Sequence, residues 1–457
     1  MTYRHHHRGP HDAAPRGAPP PLHGPVFARD PQAVYAHLRA HWGPVAPVEL
    51  EPGINAWLVM GYGELLTVTR NDQLFSRDSR HWRALREGQP PPGSRLLPMT
   101  GWRPTLLNLD GGEHHRLRAV VLELLGRVDQ RALLDRVTKS ADALIDSWLI
   151  DGCADLMAQY VRRLTATAFT GLLGLPESSG VRVHSLVSRI ADSTDESPRA
   201  EAELEALVTE LLAERRRTPR SDLATWLLQH PAELTSAELL HQLVIFLAIG
   251  LEGTSNWIGN TLRHILCEPR HLAAVLSSRT SVSDALDLAL WSDPPLQNLP
   301  GRWATEDVSL AGQRIAAGDM LVLGVAAANA DPAVQPGPAN GAVVSRAHLA
   351  WGAGPHSCPA RDPARIIAET AVARVLHRLP GMRLAVHPDS LTWRPSPWSR
   401  ALTALPVLFP QLPTAAEDRP GASAAPEVPE QEPPTADAPA RTPGQGPARW
   451  HWWDTIG

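Results

Sequence analysis

The stretch 350–360, which reads Ala-Trp-Gly-Ala-Gly-Pro-His-Ser-Cys-Pro-Ala, constrains this chain more than any other. It places Cys358 at the end of a loop that contains Gly352 and Gly354, just before a helical pattern over 364–379. Glycine lets a backbone turn tightly and approach a flat, bulky group. A thiolate near a helix start is a suitable soft metal ligand, because the positive end of the helix favours its ionised form. The alternative is a buried structural cysteine in a turn.

The composition excludes several classes of protein. Hydrophobic residues make up 43% of the 457 residues and charged residues 20%, which is typical of a globular chain, and the net charge of -5 gives no sign of a nucleic-acid partner. The three cysteines are too few and too scattered for a disulfide framework. The sequence shows neither an apolar signal-peptide core nor a run of about 18 apolar residues. We therefore expect a cytoplasmic protein without a membrane span.

Two terminal segments differ in composition from the rest. Residues 1–24 are rich in Pro, His and Arg, and residues 413–457 in Pro, Ala and Glu, so we predict a disordered leader and a disordered tail around a folded part at 25–412. The tail ends in a cluster of three tryptophans and an arginine, which are favoured interface anchors. Either this cluster docks on a protein partner or it folds back onto the parent domain, and the sequence does not separate the two.

The hydrophobic periodicity predicts a mainly α fold with small β-sheets. Apolar residues recur at three- and four-residue spacing over the segments 30–42, 113–126, 129–150, 154–174, 180–192, 199–217, 236–268 and 364–379. Short strands are predicted at 56–61, 307–314 and 320–324. Prolines and glycines predict a long loop over 87–104.

The cysteine loop resembles that of the cytochrome P450 haem-thiolate monooxygenases, which reads Phe-Gly-x-Gly-x-His-x-Cys-x-Gly. The residues on those six positions are Trp351, Gly352, Gly354, His356, Cys358 and Ala360. Four of them match, and the other two keep an aromatic and a small residue. The resemblance covers roughly residues 25–412 and is to the soluble bacterial, actinobacterial type. It implies the P450 fold and haem b, with Cys358 as the axial thiolate ligand of the iron and Trp351 and His356 as cofactor-binding residues.

A second resemblance lies at 110–118, which is similar to the start of the C helix of the family. His114 and Arg118 are four residues apart and therefore share one helix face. In the family these positions bind a haem propionate, and Arg302 and His356 match two further propionate contacts. Cations of this kind pair well with buried carboxylates. By themselves, His114 and Arg118 are more typical of a solvated helix face.

The segment 246–256 resembles the oxygen-binding groove of the family's long I helix, usually Ala-Gly-x-Glu/Asp-Thr-Thr. Gly250 matches the small residue that opens the groove, and Glu252 matches the acid that relays protons. Glu252 could instead form a structural pair with an arginine. Gly253 stands where the family has a proton-delivering threonine, and Thr254 follows about 100° further around the helix. The resemblance thus implies a catalytic set of Glu252, Gly253 and Thr254.

One family motif is missing. The stretch 286–295 aligns with the K helix but lacks the Glu-x-x-Arg ion pair of the family. Asp287 takes the place of the acid, and Leu290 or Trp291 stands where the arginine belongs. Because packed apolar groups can replace a buried ion pair at little cost, the loss does not forbid the fold. The chain resembles an atypical subgroup that has tryptophan here.

The resemblance implies monooxygenation of an apolar small molecule with O2 and electrons from NAD(P)H, delivered by a ferredoxin. Arg116, Arg361 and Arg365 would make the cysteine face basic, which suits an acidic redox partner. Substrate specificity is expected in 87–104 and 178–200. Because Gly253 lacks the proton donor, the alternative is a haem-binding interaction or regulatory protein with little or no monooxygenase turnover.

Overall fold

The computed structural model describes residues 19–334 and 345–411, and the fold is mainly α with small β-sheets, as the sequence predicts. The leader up to residue 18 and the tail with its Trp cluster lie outside the described residues, as do residues 335–344. The folded part begins earlier than predicted, since Leu22 is fully buried and Pro21 forms a β-bridge with Glu49.

The α-helices of the described residues are α1 (Gly24–Arg29), α2 (Pro31–Trp42), α3 (Tyr62–Arg70), α4 (Arg83–Arg86), α5 (Leu97–Thr100), α6 (Gly111–Gly126), α7 (Gln130–Asp146), α8 (Arg162–Leu173), α9 (Gly180–Ala191), α10 (Ser197–Arg217), α11 (Leu223–Leu228), α12 (Ser236–Cys267), α13 (Pro269–Leu276), α14 (Val282–Ser292), α15 (Val325–Asn329) and α16 (Arg361–Arg378). The strands are β1 (Val45–Glu51), β2 (Ile54–Val59), β3 (Phe75–Ser76), β4 (Cys153–Asp155), β5 (Leu299–Ala304), β6 (Val308–Leu310), β7 (Gln313–Ile315), β8 (Met320–Leu323), β9 (Arg383–Leu384) and β10 (Pro406–Leu408).

Helix α12 is the centre of the molecule. It begins with a capping box, in which the Thr235 side chain accepts from the backbone of Glu238 and the Glu238 side chain accepts from that of Thr235. It packs against α8, α9, α10, α14 and α16. Its length and apolar character would suffice to cross a membrane. Here it is a core helix, because it buries polar groups against its neighbours: Asn260 Nδ2 donates to the carbonyls of Asp293 and Arg400, each at 2.9 Å.

The largest sheet has the strand order β1-β2-β8-β5-β3. Strand β2 pairs in parallel with β8, and β5 pairs antiparallel with β8. Strands β1 and β5 were not predicted, and the predicted strand 307–314 is a hairpin of β6 and β7. The sheet matters for function because β5 carries Arg302, which is 1% exposed, into the interior.

Two predicted helices differ in extent. The segment 129–150 ends as α7 at Asp146, and the segment 154–174 begins with strand β4 and a π-helix, Leu156–Val161, before α8 starts. The π-helix lets Tyr160 donate its hydroxyl to the carbonyl of Ala371 on α16 at 2.8 Å. Tertiary packing thus sets these boundaries.

Candidate active site

One cavity brings together α12, the cysteine loop and β5. Its walls are mostly apolar, and they contain most of the site residues that the sequence predicts. Those present are Gly250, Gly253, Thr254, Arg302, Trp351, His356 and Cys358. Among the described residues, the walls do not draw on 87–104 or 178–200, where specificity was expected. Leu106 and Leu107 contribute instead, together with residues of α6, α8 and α12.

The cysteine loop is held by its own backbone and by α3. The amide of Cys358 donates to the carbonyl of Trp351 at 2.8 Å. Gly354 has φ +68°, and a Cβ there would lie 2.2 Å from the carbonyl oxygen of Thr69. Only glycine permits this approach. The loop is therefore docked tightly on the end of α3, and the thiol faces the cavity.

The thiol of Cys358 does not ionise readily by itself. Burial raises its pKa, and a backbone hydrogen bond from Ala360 and the charges of Arg361 and Arg118 offset this only in part. A bound metal ion deprotonates a coordinating thiol outright. The site therefore suits a thiolate that forms when a metal binds.

Trp351 connects the loop to the central helix α12. Its ring meets that of Trp257 of α12 edge to face, with centroids 5.1 Å apart. Trp257 Nε1 in turn donates to the carbonyl of Leu286 at 2.9 Å. An aromatic pair of this geometry adds to the stability that area burial provides. The tryptophan that replaces the expected phenylalanine is thus anchored to the central helix.

A cluster of buried cations lies beside the loop. His114 is fully buried, and its ring stacks on that of His356 with centroids 4.1 Å apart. His356 Nε2 lies 3.3 Å from Asp110 Oδ1, and Arg302 Nη1 donates to the carbonyl of Phe75 at 3.1 Å. Arg118 Nη2 approaches Ser357 Oγ at 3.4 Å. The structure thus brings together all four cations that the sequence assigned to the propionates.

Several nitrogens of these basic side chains lack hydrogen-bond partners. Both ring nitrogens of His114, and one nitrogen each of Arg118, Arg302 and His356, are buried without a hydrogen-bond partner among the described residues. Burial lowers the pKa of Arg302 to about 9, and repulsion by Arg77 acts in the same direction. Burial also lowers the pKa of His356 to about 3, against the attraction of Asp110. Unsatisfied buried donors are costly, so the cluster fits an anionic group that is not part of the protein.

Arg77 is a member of this cluster that the sequence did not indicate. It lines the cavity and is held by the carbonyls of Leu107, Pro300 and Gly301 at 2.7 to 3.0 Å. Burial lowers its pKa to about 10, although Asp110 opposes the shift. Its position follows β3 by one residue, and no motif marks it. Only the folded structure, which brings residues 107 and 300–301 next to Arg77, shows that Arg77 belongs to this cluster.

Glu252 faces away from the cavity, toward α9 and the segment 394–403. Its Oε1 lies 2.9 Å from Arg394 and accepts from Asn256 Nδ2 at 2.9 Å. Burial would raise the pKa of this carboxyl, but Arg394 and then His184 outweigh burial and hold the pKa below its ordinary value. The structure thus contains the arginine pair that the sequence left open as the alternative to a proton relay.

The three groove residues of α12 line the cavity in different ways. A Cβ on Gly250 would lie 2.5 Å from Cε1 of Phe169, so that glycine is needed for helix packing. The space beside Gly253 is open, since a Cβ there would meet no heavy atom within 4 Å. Thr254 also lies in the wall, despite its rotation around the helix. A hydroxyl therefore borders the cavity one residue later than the family pattern implies.

No protein-family model matches the chain, but individual proteins do. The cytochrome P450 monooxygenase PikC of Streptomyces venezuelae is 33% identical over 398 residues, which is 84% of this chain and 92% of PikC. Vitamin D(3) 25-hydroxylase of Pseudonocardia autotrophica is 30% identical over 390 residues, 84% of this chain and 94% of that protein. Among solved structures, CYP154C4 from Streptomyces sp. W2061 superposes with a TM-score of 0.79 at 26% identity, over 85% of this chain and 97% of that one. The chain therefore belongs to the cytochrome P450 family and is a haem-dependent monooxygenase of the bacterial type.

Proposed function

We propose that Cys358 is the axial ligand of the haem iron and that the haem lies in the cavity between α12 and the cysteine loop. The observation that carries this proposal is the set of buried, unpartnered cation nitrogens beside the loop. His114, Arg118, Arg302 and His356 hold the two propionates, because charge-assisted hydrogen bonds to carboxylates satisfy these donors. Arg77, which is already hydrogen-bonded to three carbonyls, lines the same cavity.

When bound, haem with a thiolate ligand activates O2, because the thiolate donates electron density to the iron. The residues of the chain orient the substrate, exclude water and supply protons. Thr254 offers a hydroxyl at the cavity wall in the place of the residue missing at Gly253. Glu252 is paired with Arg394 and faces away from the cavity, so we assign the proton donor of the cavity wall to Thr254 rather than to Glu252.

The substrate is an apolar small molecule. Much of the cavity wall is formed by apolar side chains, and such pockets bind apolar ligands by burying their surface. These side chains are Leu106, Leu107, Phe169, Leu172, Ile245, Phe246, Ile249 and Leu296. Gln242 is a polar group among them, and its Oε1 accepts from the amide of Leu106 at 3.4 Å.

Electrons come from NAD(P)H through a ferredoxin or similar redox partner that docks near Cys358 in the cytoplasm. The face is less basic than the sequence suggests, because two of the three arginines are neutralised. Arg116 pairs with Glu113 and Glu238, and Arg365 pairs with Asp287. Arg361 has no carboxylate within ion-pair distance among the described residues, so it is the arginine we assign to the docking surface.

Carbon monoxide spectra test the ligand. The reduced wild-type protein under CO should give the absorption band of a haem-thiolate complex, and Cys358→Ser should abolish that band. As a control, Cys267→Ser, remote from the cavity, should leave the band unchanged. A wild-type protein that binds no haem would overturn the proposal.

Turnover tests the activity. With a surrogate ferredoxin system, or with peroxide, substrates found by a screen for spectral shifts should be oxidised above the background of free haem. Oxidation would exclude a protein that only binds haem as an interaction partner. Haem binding without oxidation of any spectral-shift ligand would support that alternative.

A further inference from the structure

A buried carboxylate on α14 contacts both flanks of the cysteine loop. Asp287 is fully buried. Arg365 of α16, which follows the loop, donates from Nη2 to Asp287 Oδ1. Arg346, which precedes the loop, places Nε 2.9 Å from Oδ2, and His348 Nε2 lies 3.8 Å from Oδ1. Asp287 thus pairs with Arg346 before Cys358 and with Arg365 after it, and of these two contacts only that with Arg365 is a hydrogen bond.

The start of the loop has two further attachments to this region. Trp291, which with Leu290 stands near the place of the family's arginine, donates from Nε1 to the carbonyl of Ser345 at 2.6 Å. The amide of Leu349 donates to Asn329 Oδ1 at 2.9 Å, and Asn329 Nδ2 donates to the carbonyl of Leu290 at 2.9 Å. The first two bonds join the backbone at the start of the loop to α14 and α15, and the third joins α15 to α14.

After the loop, Arg365 is linked back to the loop residue Trp351 through the ring of Trp257. The guanidinium of Arg365 lies over the ring of Trp257, 5.4 Å from its centroid. Trp257 meets Trp351, the loop residue whose carbonyl accepts from the amide of Cys358. Arg365 is held in this position by Asp287 and by Ser283 Oγ at 3.0 Å. Cation–π contacts gain strength when the cation is partly removed from water, as it is here.

The electrostatics indicate that the Asp287 carboxyl stays ionised. Burial alone would raise the pKa of Asp287, but His348, Arg365 and Arg346 outweigh burial and hold the pKa below its ordinary value. Arg346 is largely exposed and contributes less than the half-buried Arg365. A buried ion pair that loses one partner leaves an uncompensated charge, so removal of the carboxylate should loosen everything attached to it.

We propose that Asp287 is a positioning residue for the cysteine ligand, which clamps both flanks of the loop 349–360 to α14 through Arg365 on one side and Arg346 with His348 on the other. Trp291 completes the clamp at the start of the loop. The arginine absent from α14 is thus replaced by cations from outside that helix. The clamp rests on Cys358 being the haem ligand, but it requires no particular substrate or electron donor.

The test compares Asp287→Asn with Asp142→Asn in the full-length haem-loaded protein. Asp142 is a matched control, because it pairs with Arg374 and Arg378 on the same helix α16 but away from the loop. Amide hydrogen exchange of residues 345–360 and the carbon monoxide spectrum are measured. Asp287→Asn should speed exchange in the loop by about tenfold or more, as expected for the loss of one charge-assisted buried hydrogen bond. It should also convert part of the thiolate band to the band of a protonated or lost thiolate.

Asp142→Asn should leave both the loop and the spectrum unchanged, and Asp287→Glu should restore most of the wild-type behaviour. If Asp287→Asn does not fold, Arg365→Gln carries the same test with the same expected outcome. Wild-type loop exchange and an unchanged thiolate band in the variant would overturn the clamp. Equal changes in Asp142→Asn would also overturn it, because they would show general destabilisation. A wild-type protein without the thiolate band would contradict the proposed ligand instead. In that case the amide hydrogen exchange of residues 345–360 would still show whether Asp287 holds the loop.

Discussion

At the scale of single residues, the groove of α12 departs from the family pattern, whereas the residues beside the cysteine loop follow it. The cations beside the loop are those that the sequence indicated, with Arg77 added by packing. The groove of α12 differs from the family pattern at Gly253, where the structure leaves open space. Thr254 borders the same cavity from the next position. The residue identities alone would have suggested a missing proton donor, whereas the geometry supplies another candidate.

Restoring the threonine tests this. Gly253→Thr should raise the rate of product formation and the fraction of NAD(P)H converted to product, because it adds a positioned hydroxyl in open space. A positioned proton donor typically raises the rate ~10²–10⁴-fold where the proton transfer is rate-limiting. The measurement is product formed per NAD(P)H consumed. Gly253→Val is the control, since it fills a similar volume without the hydroxyl. No gain with threonine would mean that the proton route avoids this position, and an equal gain with valine would point to packing.

At the scale of elements, the cysteine loop packs against α3 and leads directly into α16. Its two glycines are needed for different reasons. Gly354 and Gly352 share a φ of +68°, but a Cβ on Gly352 would have its nearest neighbour at 3.6 Å, the carbonyl oxygen of His356, whereas one on Gly354 would strike Thr69. The motif in the sequence treats the two glycines alike. Only the packing against α3 distinguishes them.

Alanine at these two positions therefore should give unequal results. Gly352→Ala should retain haem with a loss of stability of about 1–2 kcal/mol, the cost of a left-handed conformation for alanine. Gly354→Ala adds a clash with backbone and should lose most of its haem during purification. The ratio of haem to protein absorbance and urea denaturation measure the two effects. Equal haem retention in both variants would show that the docking on α3 is not needed.

At the scale of the whole molecule, a buried histidine couples folding to pH. His184 of α9 lies beside Glu252 and Arg394, and burial lowers its pKa from 6.5 to about 4, while Glu252 opposes the shift and Arg394 and Arg162 add to it. Between these two pH values the unfolded chain binds a proton on this ring and the folded protein does not. Stability should therefore fall as the pH drops from 6.5 to about 4.

The full effect of this one group is of the order of 3 kcal/mol, reached near pH 4. Urea denaturation of wild type and His184→Gln at several pH values measures it. The variant should lose part of the slope between pH 6.5 and pH 4 and keep the slope that the other titratable groups contribute. Identical slopes in the two proteins would contradict a neutral His184 in the folded state.

Much of the fold was readable from local pattern. Helices such as α6, α9, α10 and α12 followed from apolar spacing, because an amphipathic or apolar stripe of that period buries well only as a helix. Strands β1 and β5 were missed, since strands are stabilised by their neighbours in the sheet more than by their own sequence. The start of the folded part was placed too late, because the burial of Leu22 depends on contacts far along the chain.

The residue types and spacing of the cysteine loop predict a haem site, and the basic residues around it are predicted from their positions along the chain. How the loop is held in place depends instead on the folded structure. Asp287 pairs with Arg365 of α16, and Glu252 pairs with Arg394. In each pair the arginine is far along the chain from the acid. Ligand chemistry depends on residues close in sequence, whereas buried charges can be compensated by any cation that the fold brings within reach.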